Sequence, residues 1–452
     1  MSVLPKEIQY NKPMASLPSD TRMNQVIVRP SNGSTFAGDG NIIQLDLPAH
    51  GFAVPDSFCL NGVFKITPNA NTDKVQVRGV PAASWIQRVE TIVGGSLLES
   101  VNDYGRLYNL ISQTKLSYDE KAALMTEFGY GGGGVNGEAQ IDPSFTTLNG
   151  RLGPTSAGTD GVAGSFPFSL PLGMMLSSCS ELIPLGHMGG VRIQITTAQI
   201  ADFMTAVIQN NTAAGAPTIE LSELELTFDL VDFASGIDAV VRSMADSEGN
   251  LVLKSQGWNV TNVNFPTVPA AGSEGTFIYN TRLSSIKSLV LQLTGEAGAD
   301  AVNAGYDAMR VGKSGSVTFF LANRPFPPTP LRETNTAAVK SSLRQAFGGA
   351  HDIYSSRNAI PDKQWTDVAN LAAADANAST IQAPACHFYG VNTEKLQSNS
   401  VMLSGESSQL TPINVRVNCS EATAAAATLS LFAVYDALIA INVDSRQLAV
   451  RV

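Results

Sequence analysis

Through most of the chain, apolar and polar residues alternate with a period of two, the spacing that sends successive side chains to opposite faces of a β-strand. Ile43, Leu45 and Leu47 are separated by Gln44 and Asp46, and Val191, Ile193 and Ile195 by Arg192 and Gln194. The clearest run sets Leu224, Leu226, Phe228 and Leu230 against Glu223, Glu225, Thr227 and Asp229. Leu289, Leu291 and Leu293 repeat the pattern later, as do Val317, Phe319 and Leu321, and then Ile413, Val415 and Val417. Each run predicts a strand with one face on a core. Residues 429–441 are apolar on both faces, which predicts a strand at the centre of a sandwich. Residues 442–446 read as a turn, after which Leu448, Val450 and Val452 return as a hairpin partner.

Helical spacing is confined to three segments. Residues 97–112 place Leu97, Val101, Tyr104, Leu107, Tyr108 and Ile111 on one helical face. Residues 117–128 open with Ser117 and Glu120 spaced as a capping box, and 334–347 form the third candidate. Two stretches, 129–164 and 362–385, are rich in small and polar residues and are expected as long loops. A boundary at 235/236 then divides the chain into an N-terminal arm (1–22), a first domain (23–235) and a second (236–452). Both domains close on an apolar strand in which Asp follows an aromatic residue, Phe228-Asp229 and Tyr435-Asp436. The architecture expected is all-β, two sandwiches in tandem with a few short helices in the loops.

Composition narrows the class. At 452 residues the chain is long for one core and comfortable for two. Hydrophobic residues at 44% and charged residues at 15% describe a packed globular protein. No stretch approaches the roughly 18 uncharged apolar residues of a spanning helix, and the first residues lack the apolar core of a secretory leader. Synthesis in the cytosol is therefore expected. The net charge of −10 matters more. Proteins that coat nucleic acid directly carry basic arms, whereas Lys6, Lys12, Arg22 and Arg29 are offset by Glu7 and Asp20. Direct nucleic-acid binding is not expected.

The sequence offers no catalytic or metal-binding constellation. Gly131 to Gly134 is a glycine run without the Lys-Ser/Thr of a phosphate loop, and no Gly-x-Ser-x-Gly elbow occurs. His50, His187, His351 and His387 are scattered. Cys59, Cys179, Cys386 and Cys419 fit no zinc spacing and are expected as buried free thiols of a reducing compartment. Cys386 and His387, being adjacent, would face opposite sides of a strand. Glu223, Glu225 and Asp229 could supply calcium oxygens, but alternating carboxylates along one strand read as a solvated or interface face. Glycosylation sequons at Asn32, Asn210, Asn259, Asn377 and Asn418 are near the number chance gives in such a composition. Residues 324–330, with four prolines, read as an extended linker or an edge segment.

Three segments carry a family resemblance. The first, 86–111, runs from Ile86 to Val93, turns at Gly94-Gly95 and continues through Tyr104, Leu107 and Ile111. The second has two Pro-Leu turns, at Pro171-Leu172 and Pro184-Leu185, with a step through Gly189-Gly190 into the strand from Val191. The third is Phe432 to Asn442 with its closing hairpin. Together they resemble the double jelly-roll major capsid proteins of Polinton-like viruses, adintoviruses and their adenovirus-type relatives.

The resemblance implies two jelly rolls side by side and three copies forming a pseudo-hexameric capsomer that tiles the facets of an icosahedral virion. The implied partners are the chain itself, neighbouring capsomers, and penton and minor capsid proteins. Residues 129–164 and 362–385 would be short outward towers. Residues 2–20 read as a free tail or as an arm running beneath neighbouring capsomers toward a minor protein or an internal membrane. No enzyme activity, cofactor or metal is implied. A minor capsid protein and a carbohydrate-binding adhesin remain as alternatives, the latter weakened by the wide separation of Trp85, Trp258 and Trp365.

Overall fold

The computed structural model describes residues 21–67, 74–77, 79–116, 124, 127, 151–152, 164–207, 218–233, 241–242, 245–246, 249–265, 273–295, 315–347, 387–395, 403–419 and 427–451. In chain order the earlier strands are β1 (Arg22–Val28), β2 (Thr35–Ala37), β3 (Ile42–Asp46), β4 (Phe52–Ala53), β5 (Cys59–Thr67), β6 (Lys74–Val77) and β7 (Ile86–Val93). They continue as β8 (Ser96–Asn102), β9 (Arg151–Leu152), β10 (Gly164–Pro171), β11 (Ile183–Pro184), β12 (Val191–Thr197), β13 (Met204–Val207) and β14 (Thr218–Asp232). The later strands are β15 (Asn250–Phe265), β16 (Ser273–Tyr279), β17 (Ile286–Gly295), β18 (Ser316–Leu321) and β19 (Arg324–Arg332). After them come β20 (Tyr389–Asn392), β21 (Ile413–Cys419), β22 (Ala427–Asn442) and β23 (Leu448–Arg451).

Among the later strands, β15-β22-β17-β20 form one sheet and β16-β21-β18-β19 another. Numbering β15 to β22 from one to eight, the sheets read 1-8-3-6 and 2-7-4-5, the order of a jelly roll. The earlier strands repeat it. β1 and β2 both pair with β14, which continues to β5 and β10, while β3-β12-β7-β8 make the second sheet. Taking β1 and β2 as one interrupted strand, the order is again 1-8-3-6 and 2-7-4-5. The strands β4 and β11 extend the first of these sheets, and β13-β6-β9 form a small sheet of their own.

The alternating runs become strands as expected, with two refinements. In β14 the buried residues are Ile219 and Leu221, then Leu224, Leu226, Phe228 and Leu230, so the inward parity changes midway. A bulge absorbs the change: Ser222 faces Val63 and Glu225 faces Asn61, leaving Glu223 and Leu224 opposite Gly62, with Glu223 at φ 52°. Gly62 is required there, because a Cβ would lie 2.6 Å from the Leu224 side chain. In β17 both faces are covered, since Val290 and Gln292 are buried along with Leu289, Leu291 and Leu293. The central strand β22 is flanked by β15 and β17 and buried on both faces.

The helix expected over 97–112 is corrected at its first half. Residues Ser96–Asn102 are a strand paired with β7, and the helix covers Tyr104–Lys115. Gly94 and Gly95, both at positive φ (56° and 82°), form a two-residue turn between Val93 and Ser96. Such a turn matches the twist of antiparallel strands, so Leu97 projects outward, 58% exposed, instead of joining a helical face. The third helix forms at Thr336–Ala346, with the Asn335 side chain accepting the Ala338 N–H at 3.1 Å. It lies so close on β20 that a Cβ at Gly390 would meet Leu343 at 2.7 Å. Within the expected loop 129–164, Arg151–Leu152 pair with β6 and Gly164 opens β10. The rest of that loop, the 362–385 loop, residues 1–20 and nearly all of 117–128 lie outside the described residues.

Candidate functional site

Among the described residues the strand β15 pairs only on one edge, with β22, and its other edge would leave N–H and C=O groups bare. Side chains and backbone of the first jelly roll take that edge. The Ser180 N–H donates to the Lys254 carbonyl at 3.0 Å, and the Gln256 N–H donates to Ser178 Oγ at 3.1 Å. The Trp258 N–H reaches the Glu99 carboxyl, which also accepts the Met175 N–H at 2.6 Å. Ser255 Oγ donates to the Met175 carbonyl, and Asn262 Nδ2 to Asp103, whose other oxygen accepts from Gln87 at 2.9 Å. At a net value of about 1 kcal/mol per hydrogen bond, the set is comparable to a modest protein interface. The hairpin turn after β22 adds to the contact: Arg446 packs against Gly94 and Gly189.

Among the described residues, Glu99 is the one carboxyl buried in this junction, 5% exposed. Burial pushes its pKa up to about 7, against the pull of its hydrogen bonds from Met175 and Trp258. The titratable groups it faces are Tyr104, Tyr435 and Cys179. Burial raises all three, the Cys179 thiol to about 12, so they are neutral near pH 7. Beside the junction a polar cleft of about 340 Å³ is lined by Gln87, Asp103, Arg106, Asp202, Asn262 and Asn264 among others. A second, larger groove of about 790 Å³ opens at the β14 bulge, between Arg29, Thr35, Gly62, Phe168 and Glu225.

The residues singled out in the sequence do not converge. His50 is exposed in its turn and His187 half-buried in the next, while His351 lies outside the described residues. Cys179 and Cys419 are free and buried, Cys59 is free but only half-buried, and Cys386 lies outside the described residues. Glu225 is engaged by Arg29 at 2.8 Å, Glu223 occupies the bulge, and the Asp229 N–H donates to Ser57. Among the described residues no three His, Cys, Asp or Glu side chains gather as metal ligands. The Asn32 side chain bridges Ile42 and Gln44, and Asn259 accepts from Thr261. Residues 324–330 are an edge strand: they belong to β19, which among the described residues pairs only with β18.

Two buried polar clusters escaped the sequence reading. His387 Nε2 lies 2.8 Å from Glu333 Oε1, which also accepts the Tyr389 hydroxyl, tying the end of β19 to the start of β20. Asp436, fully buried on β22, accepts Ser285 Oγ at 2.9 Å and the Ser404 N–H at 2.9 Å. Lys287 Nζ stands 3.8 Å from Asp436 and 3.3 Å from Glu394. In each cluster the partners are more than thirty residues apart, beyond the reach of any local spacing. Only Asp436 left a signal, as the one charge in an otherwise apolar strand.

No family model matches the chain, and no curated protein matches it. Solved structures do. The chain is similar to a subunit of the PBCV-1 virus capsid at 11% identity, covering 98% of this chain and 99% of that one, with a TM-score of 0.58. It is similar to the Faustovirus major capsid protein at 9% identity, covering 97% and 92%, with a TM-score of 0.60. The mavirus major capsid protein matches at 11% identity over 100% and 96%, with a TM-score of 0.53. At such identities the likeness is one of fold, and it extends over nearly the whole of each chain. The strand orders and these likenesses together establish a double jelly roll.

Proposed function

We propose that this chain is a major capsid protein, three copies of which make a pseudo-hexameric capsomer tiling the facets of an icosahedral virion. The observation that carries the reading is the repeated strand order. One chain holds two jelly rolls joined side by side, so three chains supply six wedges for a six-fold lattice. The end-to-end likeness to viral capsid subunits supports the same reading.

On this reading the chain resides in the virion after synthesis in the host cytoplasm. Its partners are further copies, neighbouring capsomers, and penton and minor capsid proteins, and its role is structural, needing no catalytic residue, cofactor or metal. We assign the jelly rolls to 23–235 and 236–452, residues 1–22 to an arm, and 129–164 and 362–385 to outward towers.

Light scattering after size exclusion tests the assignment. The expected result is a stable species near three times the 47.6 kDa chain, or larger shells. A monomer that persists across concentration, salt and pH overturns it.

A further inference from the structure

Because the two jelly rolls share one strand order, each carries its own version of the edge that β15 presents and of the surface that covers it. In the first roll the strand in that place is β1. Its pairing starts at Arg22 against Asp232, the last residue of β14, just as β15 starts at Asn250 against Asn442, the last residue of β22. The two strands differ in what meets them. The outer edge of β15 is capped by Glu99, Ser178 and Ser180. In β1 only Val28 is buried, and Met23 and Ile27 on one face are 62% and 55% exposed. Among the described residues, none hydrogen-bonds to its outer edge.

The covering surface has its counterpart too. In the first roll it comes largely from the connection between the sixth and seventh strands, β10 and β12, where Met175, Ser178 and Ser180 lie. The second roll's connection between β20 and β21 includes residues 403–412, and its first part is firmly anchored. Ile286 and Glu406 exchange backbone hydrogen bonds at 2.7 and 2.9 Å, and the Ser408 N–H donates to Leu283 at 2.9 Å. Asp436 holds the Ser404 N–H from below. Beyond this anchor Leu410 stands 99% exposed. A lone exposed leucine is ordinary. This one sits on the surface equivalent to the cover of an edge strand.

We propose that the edge of β1 in one copy docks against residues 403–412 of the next copy, with Met23 and Ile27 meeting the face that carries Leu410. The contact repeats between chains the junction that β15 makes with 175–180 within one chain. It rests on the capsomer reading and specifies its interface. Each copy offers one strand and one covering loop, so the contact is heterologous, and on the three-copy reading it closes into a ring. Strand edges left bare invite such pairing.

The test uses the full chain with Ile27→Asp and, separately, Leu410→Asp, read by light scattering. Each variant is expected to fall from three times the chain mass to one, with its thermal unfolding within a few degrees of wild type. Mixed in equal amounts, the two variants are expected to give a species of twice the chain mass, since one intact strand and one intact loop remain between them. Should Ile27→Asp not fold, Met23→Asp on the same face replaces it. Hydrogen exchange on the wild type provides the second measurement: the β1 amides that point away from β14 are expected to be protected in the assembled form and to exchange rapidly in the Leu410→Asp monomer, while those paired with β14 stay protected in both. A wild-type monomer would overturn the capsomer reading itself. A wild-type trimer whose variants keep full mass overturns this contact alone. Equal protection of those outward amides in the monomer would mean that the edge is covered within its own chain, and overturns it as well.

Discussion

At the scale of single residues, Glu99 couples the junction to pH. Its carboxyl holds a proton in the folded chain between about pH 4.5, the ordinary value, and about 7. The unfolded chain has lost that proton in the same window, so the folded state binds more protons and stability falls as pH rises through it. The displacement corresponds to something of order 3 kcal/mol. Glu99→Gln keeps an acceptor oxygen for Met175 and removes the charge. Calorimetry from pH 5 to 8 is expected to show the wild-type unfolding temperature declining by a few degrees more than that of Glu99→Gln, whose profile is flatter. Identical slopes would assign the dependence to another group. None of this was legible in the sequence. Glu99 stood in a segment with helical spacing, and its partner Trp258 is 159 positions away, in another jelly roll.

At the scale of elements, the chain's alternation was a faithful guide where one face met the core and water met the other. It misled where two signals competed. Leu97, Val101 and Tyr104 repeat at helical intervals, yet Gly94-Gly95 is a strong hairpin signal, and the hairpin wins because the two glycines close a tight turn that pairs residues 96–102 with β7. The alternation of β14 hides a second lesson. Ile219 and Leu221 are out of step with Leu224 onward because one extra residue lies between them, and the bulge lets both sets face inward. Deleting Glu223 would remove the bulge and set Ile219, Leu221, Leu224 and Leu226 in unbroken alternation, all still facing inward. The expected outcome is a denaturant midpoint close to that of wild type, because no apolar side chain changes face. Glu223→Gly, which suits the positive φ, is expected to leave the midpoint unchanged or raise it slightly. A large fall in the deletion variant's midpoint would mean that the bulge shapes the strand beyond restoring its inward parity.

At the scale of the molecule, the question is what makes two sandwiches one subunit. The double jelly roll was legible from the strand runs and the three family-like segments, because each jelly roll's period-two pattern survives in its own strands. The joint between them was not, since edge-capping hydrogen bonds use backbone groups that every sequence supplies. Those bonds predict how the halves behave apart. Separated at 235/236, the second half would expose the β15 edge now met by Glu99, Ser178 and Ser180, together with the buried faces of Ser255 and Gly257. Alone it is expected to associate with itself or precipitate, as bare edges do. Co-expressed with residues 1–235 it is expected to stay soluble and co-elute as a one-to-one complex, because the capping groups act without the covalent link. Ser178→Pro in the first half removes the hydroxyl that Gln256 contacts and is expected to weaken that complex. If the second half is instead monomeric and soluble alone, the edge needs no cover. The joint would then be held by the chain connection, and the case for the same contact between copies would lose its physical basis.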